Sequence, residues 1–376
     1  MGSWRYIEDH RQTATFGLAT DEFLTNNYID LSRNNHSATL RLYHYENFTA
    51  LCGRFQDITA EIDLDFCKEN GYTFSRRLTG GGAIIMGEDQ LGICVSTNAK
   101  SLKWNRISDI YQMFAAPILS TLQELGISAQ FRAKNDLEVS GKKIAGLGVY
   151  MSPEGAVQFH CSLLYDLDIP KMLELLNIPI QKYSDKAVVR SVEQRMTTVL
   201  KETPEFVDLS ALREKLKASF SNYFDVQLET EPLVEDENDK IKKIEEEKYL
   251  NESWVFQHSP QDDMTGMSLK KTAGGLLRTY VGLKGENIKS VLITGDFMDK
   301  PTAFTEIESL LKWSVLDVEK ISEVIDKVLQ KEELPHNILK EEVLEAVWMA
   351  VQRAHAAHRY TYKGSCYYPK DTTAHV

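Results

Sequence analysis

Absences narrow the possibilities first. Only five cysteines occur in 376 residues, Cys52, Cys67, Cys94, Cys161 and Cys366, an odd and scattered set with no CxxC spacing. Neither a disulfide framework nor a zinc site follows from them, and reduced thiols are expected. Positive charge is also short: 43 Lys and Arg stand against 55 Asp and Glu, a formal net charge of -12. That balance argues against nucleic acid or an anionic membrane surface as the main partner, so any basic cluster must be local. No stretch approaches the length of a membrane span, and the N-terminal MGSWRYIEDHRQTATFGLATDEF is charged throughout, with no apolar core of a signal sequence. The expectation is a cytoplasmic, monomeric globular protein with no internal repeat.

A chain of this length exceeds what one core usually organises, so two domains are expected. Up to about Asp168 the pattern is mostly strands: Thr39 to Tyr45 alternates, and Tyr72 to Arg76 and Gly92 to Thr97 are rich in β-formers. Between them Ser108 to Leu125 sets Ile110, Phe114, Ile118, Leu122 and Leu125 on one helical face, with Gly126 as a stop. Pro117 inside that helix predicts a kink or a penalty of about 3 kcal/mol. From about Thr230 to Asn251 the chain becomes strongly charged and loses its apolar stripe, which reads as a linker or a solvated helix. The organisation expected is therefore a first domain over 1–235, a charged linker over 236–252, a small α+β domain over 253–353 and a tail over 354–376 with no assigned role. In the second domain, LLRTYVGL, KGEN and IKSVLITG form a hairpin pattern, followed by two helices, DVEKISEVIDKVLQ and LKEEVLEAVWMAVQRAHAAH.

Two stretches carry chemistry. The first is RRLTGGGA, Arg76 to Ala83. Consecutive glycines expose backbone N-H groups and permit positive φ, so they can wrap donors around an anion, and Arg76 or Arg77 would add charge-assisted bonds. The stretch is neither a Walker A loop nor a GxGxxG fingerprint. A tight turn with solvent-facing arginines has the same pattern.

The second stretch, KNDLEVSGKKIAGLGVYMSPEGAVQFHCS from Lys134 to Ser162, reads as a three-stranded meander with turns at Val139 to Lys142 and Ser152 to Gly155. A first turn centred on Ser140 and Gly141 pairs Glu138 with Lys143 and Asp136 with Ala145. The second turn then pairs His160 with Leu147 and Ser162 with Ala145. Alternation sends Asp136, Glu138, Lys143, His160 and Ser162 to one face, and Lys142 and Cys161 to the other. Small Ala145 and Ser162 would leave room for a ligand there.

These segments, with GRFQD at Gly53 to Asp57, FHCSLLYDLD and VRSVEQRMTTV, resemble in order and spacing the lipoate-protein ligase A family of the biotin/lipoate ligase and acyltransferase superfamily. NESWVFQHSP and GGLLRTYVGLKGENIKSVLITGDF resemble its accessory domain, so the resemblance extends from about Trp4 to Arg353. It implies an α/β (α+β) fold, with a mixed-sheet catalytic domain and a small α+β accessory domain. It also implies activation of lipoate, or of octanoate, with ATP and Mg²⁺. The acyl group would pass to a lysine of a lipoyl-bearing acceptor domain, such as that of a 2-oxoacid dehydrogenase E2 or a glycine cleavage H protein.

Within that resemblance Lys143 matches the catalytic lysine of K-I-A-G. Arg76, Arg77, Thr79, Gly80, Gly81, Gly82 and Ala83 match the anion-binding loop. Asn135 and Asp136 match an N-D pair near the nucleotide, Ala145 and Gly146 complete the K-I-A-G, and His160 matches a histidine beside the acyl site, with Ser162 added as a binding residue by the strand pairing. The metal ligands are not assigned. Two departures stand out: IIMGEDQLG replaces the H-D-x-G-N that commonly follows GGGA, and Asp57 stands where GRxQN has Asn. An ATP-independent lipoyl or octanoyl transferase, and a non-catalytic factor that binds an acylated domain, are the alternatives. Cys161 is read as a core-facing filler rather than as a thioester nucleophile.

Overall fold

The computed structural model describes residues 2–104, 106–132, 135–177, 193–298 and 301–359. The tail expected over 354–376, with Cys366, and the start of VRSVEQRMTTV lie largely outside them. The chain forms two compact units: Met1–Arg54 with Ile58–Gln257, and Phe55–Asp57 with His258–Val376. Among the described residues no helix is long and apolar enough to cross a membrane.

The first unit is built on an eight-stranded mixed sheet. Its strands are β1 (Gly2–Gln12), β2 (Ala38–Tyr45), β6 (Gln90–Asn98), β7 (Ala129–Arg132), β8 (Asp136–Val139), β9 (Lys142–Met151), β10 (Ala156–Leu164) and β11 (Val226–Thr230), in the order β11-β1-β2-β6-β10-β9-β8-β7. β1 runs parallel to both β11 and β2, and the remaining pairs are antiparallel. Every residue of the central strand β6 is buried, as its near-continuous apolar run requires. A smaller sheet, β4-β3-β5, joins β3 (Thr49–Cys52), β4 (Thr73–Arg76) and β5 (Ile84–Met86) and carries the RRLTGGGA loop between β4 and β5.

The helix Ile107–Glu124 buries Ile110, Phe114, Ile118 and Leu122, the face its spacing predicts. It continues through Pro117 as one element. Packing holds it: the Phe114 ring lies 5.2 Å from Phe159 and 5.5 Å from Phe224 of the helix Leu209–Phe224. These contacts offset the missing amide of proline.

The segment read as a charged linker is part of the first unit, which extends to Gln257. Glu235–Ile244 is helical and continues into a π-turn over Glu245–Tyr249. Ile241 and Tyr249 are buried in one cluster with Ala14 and Leu18 of the helix Ala14–Asn26. Arg5 grips Glu237 with two bonds of 2.6 and 2.7 Å, and Lys248 lies 2.8 Å from Glu22. Two apolar anchors and paired charges are enough to seat a helix that carries no apolar stripe.

The second unit is an antiparallel sheet, β12 (Gly266–Lys271), β13 (Leu276–Lys284) and β14 (Asn287–Gly295), with the helices Thr302–Leu311, Val318–Leu329 and Lys340–Arg359. The expected hairpin is there, with Gly285 at φ 60° in its turn. Val281, Ile293, Phe304, Ile325 and Val347 meet in its core. β12 and the helix Thr302–Leu311 are elements that the sequence reading did not anticipate.

Candidate active site

The meander β8-β9-β10 frames a cavity of about 280 Å³ in the first unit, completed by the RRLTGGGA loop and by the segment after β10. At the β8-β9 turn Ser140 and Gly141 both take positive φ, 50° and 81°, the geometry of a two-residue type I′ hairpin. Glu138 therefore stands opposite Lys143 as expected. One residue later the register shifts: Leu137 pairs with Ala145 and Asp136 with Gly146, which makes Ile144 a bulge. The second turn also differs from expectation. Ser152 N donates to Ala156 O, Ala156 N donates to Ser152 Oγ and Gly155 sits at φ 90°, so the loop has three residues rather than two, and Ser162 faces Gly146 while His160 faces Gly148.

The two one-residue departures compensate. Lys143, Asp136, His160 and Ser162 still share one face, but the small residue among them is Gly146, not Ala145. Ala145 is fully buried on the opposite face between Leu137 and Leu163 and does not line the cavity. Side chains at the two cavity-side glycines would press on the site. A methyl group at Gly146 would lie 3.0 Å from Lys143 Nζ, and one at Gly148 would lie 2.6 Å from the His160 ring.

Lys143 Nζ is 2.8 Å from Asp136 Oδ1, with about a third of each side chain exposed. Asn135 clamps the same strand: its carbonyl accepts from Leu147 N at 2.7 Å, and its Nδ2 donates to Leu147 O at 3.1 Å.

Arg77 donates to Leu51 O, Gly80 O and Gly82 O at 3.1, 2.7 and 2.7 Å, and so folds the glycine loop around its guanidinium. Its Nε has no partner among the described residues, and no carboxylate pairs with it. Burial and the neighbouring Arg76 lower it to about 10, so it remains a cation at neutral pH. An unneutralised buried cation on a cavity wall favours an anionic ligand. The amides of Gly80, Gly81 and Gly82 donate to no backbone acceptor among the described residues, and Gly81 adopts φ 91°.

His160 Nδ1 is 3.2 Å from Thr79 Oγ1. Burial first, and the Arg77 charge after it, push this imidazole down to about 3, so it is neutral at physiological pH.

The remainder of the wall is apolar: Ile84, Ile85, Leu147, Leu164, Leu167, Met172, Leu176 and Met196. The lining thus combines cations and hydrogen-bonding groups with a largely apolar surface.

Residues 13–221 match the lipoyl protein ligase A/B catalytic domain, and residues 266–347 match the bacterial lipoate protein ligase C-terminus. The chain belongs to the lipoate-protein ligase A/B family. Within the family it is 25% identical over 308 residues to the lipoate-protein ligase LplJ of Bacillus subtilis, covering 82% of this chain and 90% of LplJ. It is 24% identical over 280 residues to the octanoyltransferase LipM of Lysinibacillus sphaericus, covering 68% of this chain and all of LipM. The fold is that of P. falciparum LipL1, solved in complex with lipoate, with a TM-score of 0.72, 19% identity and coverage of 91% of this chain and 98% of that one.

Measured against the family motifs, Arg77, Gly82, Ala83, Asn135, Lys143, Gly146, His160 and Ser162 line the cavity. Asp136 and Thr79 stand behind Lys143 and His160. Gly80 and Gly81 shape the loop, with Gly80 bound through its carbonyl to Arg77. Arg76 does not reach the cavity. It is fully buried and donates to Gly53 O, Arg54 O, Trp254 O and Val255 O. Asp57, the departure from GRxQN, accepts a 2.6 Å bond from Tyr280 within the second unit. The sequence reading missed Gly148 and the apolar wall. LGV, directly after the K-I-A-G glycine, signals the former; the wall is assembled from five separate segments and has no local signature.

Proposed function

We propose that this ligase-family chain activates lipoate, or octanoate, with ATP and transfers the acyl group to a lysine of a lipoyl-bearing acceptor domain. The observation that carries this reading is the make-up of the cavity lining: the cations Arg77 and Lys143 together with an extensive apolar wall. A medium-chain carboxylic acid, an anion with an apolar chain, matches both.

The carboxylate is a poor electrophile. Attack of its oxygen on the α-phosphate of ATP forms the mixed anhydride acyl-adenylate and expels pyrophosphate. Negative charge gathers as carboxylate and phosphate approach, and Arg77 with Lys143 offsets it where it develops. The amides of Gly80 to Gly82 supply further donors, with no need of a P-loop. Mg²⁺ would accompany the nucleotide as its counter-ion.

In the second half-reaction the acceptor amine attacks the acyl carbonyl and AMP departs. Lys143 stabilises the tetrahedral oxyanion and the leaving phosphate. His160, neutral and oriented by Thr79, serves as a hydrogen-bonding group rather than as a charge.

A thioester route needs a thiolate in reach of the acyl carbonyl. No cysteine among the described residues lines the cavity. Cys161 is buried on the reverse face opposite Leu147, and burial pushes its thiol far up. The match to a ligase C-terminal domain supports the same preference. Intact mass of an apo lipoyl domain after incubation with enzyme, lipoate or octanoate, Mg²⁺ and ATP tests the reading. Acylation that depends on ATP is the expected result. Acceptor acylation without ATP from a supplied acyl-protein thioester, with an acyl group still covalently on the enzyme after denaturation, would establish the transferase instead.

A further inference from the structure

The meander accounts for one side of Lys143. The other side is held by a segment with no role in the chemistry so far, the end of VRSVEQRMTTV. Lys143 is the second residue of β9 and lies past the last rung that β10 offers, since Leu163 already pairs with Ala145. Arg195–Met196–Thr197 takes the place of β10 there. It forms a parallel bridge, with Lys143 N donating to Arg195 O at 2.8 Å and Thr197 N donating to Lys143 O at 2.9 Å.

Strand alternation divides this segment. Met196 lines the cavity, whereas Thr197, buried on the other side, donates its hydroxyl to Glu202 Oε1 at 2.6 Å. Thr198 caps the short helix Val199–Glu202 through a 3.3 Å bond to Lys201 N, and Leu200 N donates to Tyr165 O at 3.1 Å just beyond β10. The two adjacent threonines have different tasks. One starts the turn, and the other ties the bridging segment to the end of that turn.

We propose that Thr197 and Glu202 are positioning residues for Lys143. Their charge-assisted bond fixes the Arg195–Thr197 bridge, and the bridge sets the backbone from which the Lys143 ammonium reaches the reacting atoms. Restraint is needed at this point because the bulge at Ile144 loosens β9 immediately after Lys143, and the Ser140–Gly141 turn ends immediately before it. A displacement of about 1 Å of a catalytic group lowers a rate by about two orders of magnitude. Neither Thr197 nor Glu202 lines the cavity, so their effect passes through the bridge, to Lys143 for the rate and to Met196 for the fit of the acid.

This inference rests on the role proposed for Lys143, and the test separates the two. In the full-length enzyme, Thr197→Val is nearly isosteric and removes only the hydroxyl donor. It is expected to lower kcat for acceptor acylation about tenfold, with KM for the acid and for ATP changed by less than about threefold. Tm should stay within about 2 °C, and amide exchange at Lys143 should accelerate. Thr197→Ser restores the donor and is expected to return kcat to within about twofold. Glu202→Ala should match Thr197→Val, and the double variant should be no worse than either.

An unchanged kcat in Thr197→Val, or a loss that tracks Tm or appears only in KM, overturns the positioning role. Unchanged Lys143 exchange alongside an inactive Lys143→Ala overturns it alone and leaves the ligase reading standing. If Lys143→Ala keeps full activity, the role of Lys143 falls and the proposal falls with it. Accelerated exchange without a rate change in Thr197→Val then identifies that outcome.

Discussion

The cavity side of the first unit and its reverse side are built from neighbours in the sequence. Arg76 and Arg77, Lys142 and Lys143, and His160 and Cys161 are three adjacent pairs, and each pair is divided between the two sides. On the reverse side Arg76 bonds to carbonyls of the fold and Cys161 is sealed in the core, while Lys142 is half-exposed and does not line the cavity. On the cavity side Arg77, Lys143 and His160 line the cavity, where Lys143 is paired with Asp136 and His160 with Thr79. Arg76 hands its donors to four carbonyls, whereas among the described residues Arg77 pairs with no carboxylate and its Nε has no partner. Residue type therefore says little about role here; the face of the strand decides it.

The lysine pair offers the strongest way to break this contrast. Lys143→Ala should lower ATP-dependent acylation of a lipoyl domain by on the order of 10² to 10³, as loss of a preorganised charge stabiliser does. Lys142→Ala should stay within about threefold, as a surface substitution outside the site does. Similar losses in the two, read by intact mass over time, would dissolve the distinction between the faces.

The arginine pair should separate activity from stability. Arg77→Met is expected to reduce the rate by about 10², through loss of a charge in the cavity lining. Arg76→Met should instead lower the urea midpoint, by an equivalent of about 3 kcal/mol or more, because it strands buried carbonyls. An inactive but fully stable Arg76→Met would reverse the assignment.

For the third pair, pH is the discriminating variable. The folded pKa of His160, about 3, lies below its ordinary value of 6.5, so between these values the unfolded chain binds the extra proton. The contribution of the neutral ring is complete above about pH 6.5 and is lost as pH falls toward 3. Urea midpoints across pH 4 to 7 should fall less steeply on acidification for His160→Gln than for the parent protein. Parallel curves would mean that the ring is not held neutral by its surroundings.

Cys161 should show the smallest effect. Cys161→Ser is expected to keep activity within about threefold and to lose stability only through packing, about 1 kcal/mol. An acyl group found on Cys161 in denatured parent enzyme would place it in the chemistry after all.

Several features of the site were legible in the sequence for identifiable reasons. Ser140-Gly141 marks a hairpin because few residue pairs accept two positive φ values, and this fixed Glu138 opposite Lys143. The pairing beyond it was not legible. A bulge at Ile144 and a three-residue loop ending in Gly155 each move the register by one, and apolar alternation alone admits either count. The faces of Lys143, His160 and Ser162 were nevertheless assigned correctly because the two shifts cancel, while Ala145 was exchanged with Gly146. Charge density in 235–249 hid a packed helix, since Ile241 and Tyr249 are eight residues apart and anchor it without a continuous stripe.

By itself the sequence determined the family through ordered motifs, the two-unit organisation, the strand-rich first unit and the turn that presents Lys143. Those features are local, set by dihedral preference, side-chain periodicity and spacing along the chain. Tertiary structure decided which of two adjacent arginines remains uncompensated, where the first unit ends, and which residues form the apolar wall of the cavity. Each of these depends on carbonyls, side chains and strand edges contributed from distant segments, and desolvation acts on that assembled surrounding rather than on the residue alone.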